Sequence, residues 1–350
     1  MKRHGYWLIS FLLLILLLTA CAAPKAPAPA PPPASPAAAA PVTPSAAALK
    51  AQQLVDGARK EGEVVLWTNT LTGAETLKAA IRDKFPYLKF TTWIAPTGRD
   101  LVGRLAEEAK AGRISADIIV NSTIDNPEAE KLGLFKEYDW SRTMGWPHQP
   151  PNNLSRVITA APRLPVYNTE RVVGADIPKS WEDLKKARWQ GRSIIDKAES
   201  FWRDVVRNGR PIVSRAFAPP TELLAAGEAD ILLAGSSVTT LEFRTRGAPV
   251  DVASVEMAMA TPFAIAIVNN APHPNAAELL ADYFTSTEGL LVYANVNLQN
   301  AIDPEVEKRA TAGALLKSRG VKWAPMPLEL YTAENVKRSG DFWIANVERR

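Results

Sequence analysis

The chain has 350 residues, with 41 Lys and Arg against 37 Asp and Glu, a formal charge of +4. Signs are interspersed, so the sequence offers no basic footprint for nucleic acid. One cysteine and three histidines exclude a disulfide framework and leave thiolate or multi-histidine metal sites without ligands.

The first residues read as an export signal. Lys2 and Arg3 form a positive start, Trp7 to Leu18 is apolar apart from Ser10, and Leu18-Thr19-Ala20-Cys21 matches a lipobox. Twelve residues are too few for a permanent membrane span, which needs about 20. Residues 1–20 are therefore expected to be a cleaved lipoprotein signal, with Cys21 the lipidation site and acyl chains the membrane anchor. Residues 21–49 follow as a tether: Ala22 to Ala48 is almost entirely alanine, proline and serine, a composition suited to extended polyproline II geometry. Some 300 residues then remain, enough for two lobes.

Three strand-then-helix units come next. Glu63 to Trp67 is a short apolar strand ending at Thr68, Asn69 and Thr70. Thr72 and Glu75 have capping-box spacing before the helical stripe Leu77, Ala80, Ile81 and Phe85, which Pro86 stops. Phe90 to Ile94 is a second strand, running into Thr97, Gly98 and Arg99, where Thr97 and Asp100 again have cap spacing. Leu101, Val102, Leu105 and Ala109 form the next stripe, and Gly112 is placed to close it. Asp117 to Val120 is the third strand, followed by Asn121, Ser122 and Thr123. Alternating strands and helices predict a parallel sheet with right-handed crossovers, whose carboxyl ends share one edge where ligands bind. The three polar loops are thus expected to converge, with Arg99 the nearest cation, Asp125 the nearest anion, and helix amino termini adding unpaired N–H groups.

Val166-Tyr167-Asn168-Thr169 is followed by Pro178-Lys179-Ser180-Trp181-Glu182-Asp183-Leu184 and then Arg188-Trp189-Gln190-Gly191-Arg192. Further on stand Leu224-Ala225-Ala226-Gly227-Glu228-Ala229, Ile265 to Val268, Ala271 to Ala277, and Tyr283 to Gly289. This ordered set resembles the extracellular solute-binding proteins of the ferric-ion-binding type, the capture components of ATP-binding-cassette importers. The resemblance spans most of residues 60–295. It implies an α/β, two-lobed periplasmic-binding-protein fold (type II) with mixed, mainly parallel sheets and crossover strands. Lobe one would hold residues 50–160 and 253–300, lobe two 161–252, and residues 301–350 would be helices packed on the lobes. Between Gly191 and Val213 the chain looks shorter than the family usually is. The same segments have local readings: Ser180 and Asp183 are spaced as a capping box, and Pro274-Asn275 starts a helix whose Leu279, Leu280, Tyr283 and Phe284 face the core. Tyr167, after the crossover strand, is a candidate for the cleft.

Ferric-ion binders of this type resemble one another in a tyrosine pair soon after the segment like 224–229. Here that place reads Leu233-Ala234-Gly235-Ser236-Ser237-Val238, and no two tyrosines are adjacent anywhere. Neutral hydroxyls do not replace phenolates as tight ferric ligands, so the sequence argues against iron and for no cofactor. Ser236 and Ser237 are candidates for hydrogen bonds to a polar ligand. One loop carboxylate suits an oligoamine poorly, whereas Arg99, hydroxyls and helix amino termini suit a small organic anion such as a phosphonate, phosphate ester or carboxylate.

The expectation is a monomeric, membrane-tethered, extracytoplasmic protein that captures such a ligand and delivers it to a permease and ATPase. A ligand sensor of the same fold, reporting to a membrane receptor, is the alternative. An envelope enzyme fits poorly. His148 and His273 stand alone, Gly235-Ser236-Ser237-Val238-Thr239 lacks the second glycine of a nucleophile elbow, and no phosphate-cradling loop is present.

Overall fold

The computed structural model describes residues 46–196, 212–214, 218–327, 334 and 341. Cys21 with its leader, nearly all of the expected tether, most of the shortened segment 191–213 and most of the stretch after residue 327 lie outside the described residues.

The order is α1 (Ala46–Glu61), β1 (Glu63–Thr68), α2 (Ala74–Lys84), β2 (Lys89–Ile94), α3 (Gly98–Lys110), β3 (Ile118–Ser122), α4 (Asn126–Lys131) and the long β4 (Arg156–Asn168). Then come β5 (Ser193–Asp196), β6 (Ile212–Ser214), α5 (Ala218–Ala225), β7 (Ile231–Ser236), α6 (Ser237–Thr245), β8 (Val250–Val252) and β9 (Met257–Ile267). The described chain closes with α7 (Pro274–Phe284), α8 (Thr287–Asn297), β10 (Asn300–Ala301), α9 (Pro304–Glu307), α10 (Thr311–Ser318) and β11 (Lys322–Pro325). Helix α1 was not expected; it begins inside the stretch assigned to the tether.

As predicted, β1 pairs in parallel with β2 and with β3. The sheet then continues in the order β2-β1-β3-β9-β4-β7-β5-β6, and β3–β9, β9–β4 and β4–β7 are all antiparallel. Strands β4 and β9 therefore run through both halves as a two-stranded crossover. The register of β4 on β7 shifts between Leu164 and Val166, at Pro165, which has no N–H to give a ladder.

Core residues divide along the same line. One set packs Val64, Leu66, Ile118, Val120 and Ile265 under Leu77, Ile81, Leu280 and Phe284, and its reverse face packs Trp67, Ile119 and Ala266 under Leu101, Leu105 and Ala129. A second set gathers Leu164, Val166, Ile231, Leu233, Val252 and Trp189. The chain after residue 300 serves both: Val306 and Ala310 join the first, Ala312, Leu315 and Leu316 the second. Leu279, Leu280, Tyr283 and Phe284 are all buried on α7, as the apolar spacing required.

One capping box forms, one simple cap forms and one expected box does not. Thr97 accepts from the Asp100 N–H at 3.1 Å, while Ser180 and Asp183 bond reciprocally to each other's backbone N–H. Thr72 caps nothing: α2 starts after Gly73, and the Thr72 hydroxyl donates to the Val296 carbonyl at 3.1 Å, tying the loop to the end of α8. In the stripe of α3, Leu101, Val102 and Leu105 are buried but Ala109 is exposed, one turn beyond the sheet's cover.

Candidate ligand site

The register of the crossover strands sets where the candidate site lies. Ser122, at the end of β3, pairs with Phe263, which also pairs with Thr159. Ser236, at the end of β7, pairs with Arg163, which also pairs with Met259. The two rows are four residues apart on both β4 and β9, about 13 Å at 3.3 Å per residue. Because β3 and β7 run towards each other, carboxyl ends of strands and amino termini of helices from both halves face across this gap.

On the first side the loops meet as expected, but their side chains differ in what they are free to do. Thr68 is fully buried, and its hydroxyl donates to the Thr70 carbonyl and accepts from the Thr70 N–H. The Thr70 hydroxyl accepts from Gln299 at 3.0 Å, and Gln299 in turn accepts from Thr159 at 2.6 Å. Both threonines are thus spent on fastening the loop to β4. Asn69 is different, with a buried Oδ1 that has no partner.

Gly98 opens α3 beside β3. A Cβ on it would stand 2.5 Å from Asn121 Oδ1 and collide with Asp125 Oδ2. Asn121 and Ser122 prove to be strand residues rather than loop residues. Asn121 is fully buried with neither amide atom bonded, and Asn126, opening α4, is 3% exposed in the same condition. Asp125 N–H donates to the Ser122 carbonyl, closing the turn that Asn121 and Asn126 flank. Each unmet buried polar group costs about 1–3 kcal/mol, so a fold retains such a pair only against a gain elsewhere. Burial pushes the Asp125 carboxyl above the usual carboxylate range; exposed Arg99 pulls it down, while Glu128 and Asp100 push it further up. Asn126 escaped the sequence reading. Its one signal was a carboxamide immediately before Pro127, at a helix start directly after a strand.

On the second side Ser236 is the N-cap residue of α6, yet its side chain caps nothing, and Ser237 is fully buried with an unbonded hydroxyl. Val238, next in line, packs with Ala161 and Phe263, so the start of α6 lies against the crossover.

Tyr167 is not brought to this place. It pairs with Ile231, at the far end of β7 from Ser236, and is 7% exposed in the second core. Burial raises its phenol, with Asp251 adding to the effect. Asp251 itself is held by Arg244 and Arg319. Trp67 is core, its ring tilted against that of Trp93, and the Arg104 guanidinium lies over both rings. His273 binds the buried carboxylate of Asp117 at 2.9 Å, at the amino end of β3 and away from the gap. Among the described residues no group of three or more His, Cys, Asp or Glu side chains is placed to hold a metal ion.

Residues 115–207 match the bacterial extracellular solute-binding protein family. No curated protein matches the chain in sequence. Among solved structures, the substrate-binding protein of the ABC transporter from Agrobacterium tumefaciens is similar over 81% of this chain and 94% of its own, at 16% identity and a TM-score of 0.68. Apo ferric ion-binding protein A from Pasteurella haemolytica is similar over 81% and 97%, at 16% identity and a TM-score of 0.65. Iron-bound HitA from Pseudomonas aeruginosa is similar over 80% and 98%, at 15% identity and a TM-score of 0.61. At these identities the likeness is one of fold, and it agrees with the two halves and crossover strands seen here. Residues 115–207 are thus similar in sequence to the bacterial extracellular solute-binding proteins, and the chain as a whole shares the fold of these two-lobed binding proteins.

Proposed function

We propose that this protein is the capture component of an ABC importer, taking a small organic anion into the gap between the facing strand ends and delivering it to a permease and ATPase. One observation carries the choice of ligand: α6 begins at the gap with no side-chain cap, and the Ser237 hydroxyl beside it is buried without a partner. Uncapped N–H groups and a hydroxyl donor suit a phosphonate, phosphate ester or carboxylate. The iron in the names of two of these structural relatives does not transfer, because the strand end that would supply phenolates supplies Ser236 and Ser237. Capture works through closure, so the ligand must contact the closed arrangement better than the open one. Cys21, within its lipobox, is proposed as the point of lipid attachment. No helix among the described residues is long and apolar enough to cross a membrane.

The test is a thermal-shift panel on the full chain in detergent, stripped of bound ligand. A ligand at 100 times its dissociation constant adds about 2.7 kcal/mol to the folded state. A raised midpoint with phosphonates, phosphate esters or carboxylates, and none with ferric ion, is expected. A response to ferric ion alone refutes the reading.

A further inference from the structure

The two sides of the gap are chemically unlike, and the difference says more about the ligand. The start of α6 offers donors: uncapped N–H groups and the buried Ser237 hydroxyl. The start of α3 is already faced by a carboxylate, since Asp125 Oδ2 and Asn121 Oδ1 converge on the space that a Gly98 side chain would fill. A helix amino terminus that meets its own chain's anion does not invite a second one, because the two anions repel. What it can take is a donor. Asn121, fully buried, has an unbonded amide oxygen aimed at that spot, and Asn126 has another across the same turn.

Resting on the capture function proposed above, we infer that the ligand is a small zwitterion. Its primary ammonium group is received by Asp125, Asn121 and Asn126, and its anionic group by the start of α6 and Ser237. An ammonium has three N–H donors and no acceptor, which matches one carboxylate and two amide oxygens and leaves the equally unpartnered Asn121 and Asn126 amide nitrogens to donate to an acceptor on the same ligand. The rows that carry the two sides are about 13 Å apart along the crossover, a span that closure and side-chain reach reduce to that of a short chain.

The experiment is calorimetry on the full chain in detergent with matched pairs of probes that differ only in the amino group: O-phosphoethanolamine against ethyl phosphate, and β-alanine against propionate. The amino compound of at least one pair is expected to bind tenfold or more tighter than its partner. Asp125→Asn, checked for an unchanged melting point without ligand, is expected to bring the pair within about threefold of each other. Equal binding of both members by the unaltered protein overturns the zwitterion while leaving anion capture standing. Binding of neither member of either pair overturns both. Because the matched pairs are compared on the natural chain, the result does not depend on how well the variant folds.

Discussion

Asn121→Leu is the perturbation that separates a residue kept for binding from one kept for folding. Its side chain is fully buried and neither amide atom has a partner. Leucine branches at the same atom, so the shape is nearly kept, and volume-conserving swaps cost under about 1.5 kcal/mol. Against that stands the removal of two unmet polar groups, each worth about 1–3 kcal/mol. The unliganded protein should therefore gain on the order of 1–3 kcal/mol in urea denaturation while losing its ligand. Asn168 is the control. It is equally buried, but its amide donates to the Leu224 carbonyl at 2.8 Å and accepts from the Glu170 N–H at 3.0 Å. Asn168→Leu strands those partners and should cost about 1–3 kcal/mol. The two substitutions are the same in chemistry and opposite in predicted sign. If Asn121→Leu loses more than about 1 kcal/mol with binding intact, the amide belongs to the fold and the site lies elsewhere.

Three further predictions concern the frame that holds the site. Glu61, ending α1, accepts from the backbone N–H groups of Asn275 and Ala276 and from the Asn275 amide, capping α7 from outside; Glu61→Ala should cost about 2–4 kcal/mol in urea melts and loosen α1 first in hydrogen exchange. A Cβ at Gly289 would collide with the Tyr283 carbonyl oxygen, so Gly289→Ala should cost about 3 kcal/mol, whereas Gly103→Ala, with open space around it, should raise the melting midpoint slightly. Burial works to raise the Asp251 carboxyl, but bonds from Arg319 and Arg244 outweigh it and hold the group below its ordinary value. A carboxyl lowered in the folded state stabilises above its unfolded value, near 3.9, and that contribution fades as pH falls through the folded one. Acid titration of stability should accordingly be shallower below about pH 4 in Asp251→Asn than in the unaltered chain.

Much of the first half of the fold was legible because short apolar strands and period-3.6 helices alternate there within about 60 residues. The stripe Leu101, Val102 and Leu105 and the Thr97 cap read correctly since each is decided by neighbours three or four residues away. Thr72 misled for the complementary reason. Its spacing to Glu75 is that of a capping box, yet a carbonyl 224 residues later, that of Val296, claims its hydroxyl. The same limit applies to Thr68 and Thr70, whose fastening runs through Gln299 and Thr159, and to α1, whose anchoring partners lie on α7. No local pattern can announce contacts of that range.

The site itself follows from a topological fact rather than a motif. Three parallel strands put their carboxyl ends on one edge, but a ligand gripped by that edge alone would face solvent on its other side. The antiparallel pairing of β4 and β9 supplies the second edge, because it turns β7 to run against β3 and sets Ser236 opposite Ser122 across four residues of crossover. The residues that bridge those four places are Ala160, Ala161 and Pro162 on β4 and Ala260, Thr261 and Pro262 on β9. All are small, and Pro162 and Pro262 withhold N–H groups from the ladder at the point where the two halves would move on the proposed capture reading. A site assembled this way stores its specificity in the few side chains at the strand ends and its motion in the strands between them. On the capture reading proposed above, serines stand where iron-binding members of the resembling family carry tyrosines, which would change what is captured without disturbing how the fold closes.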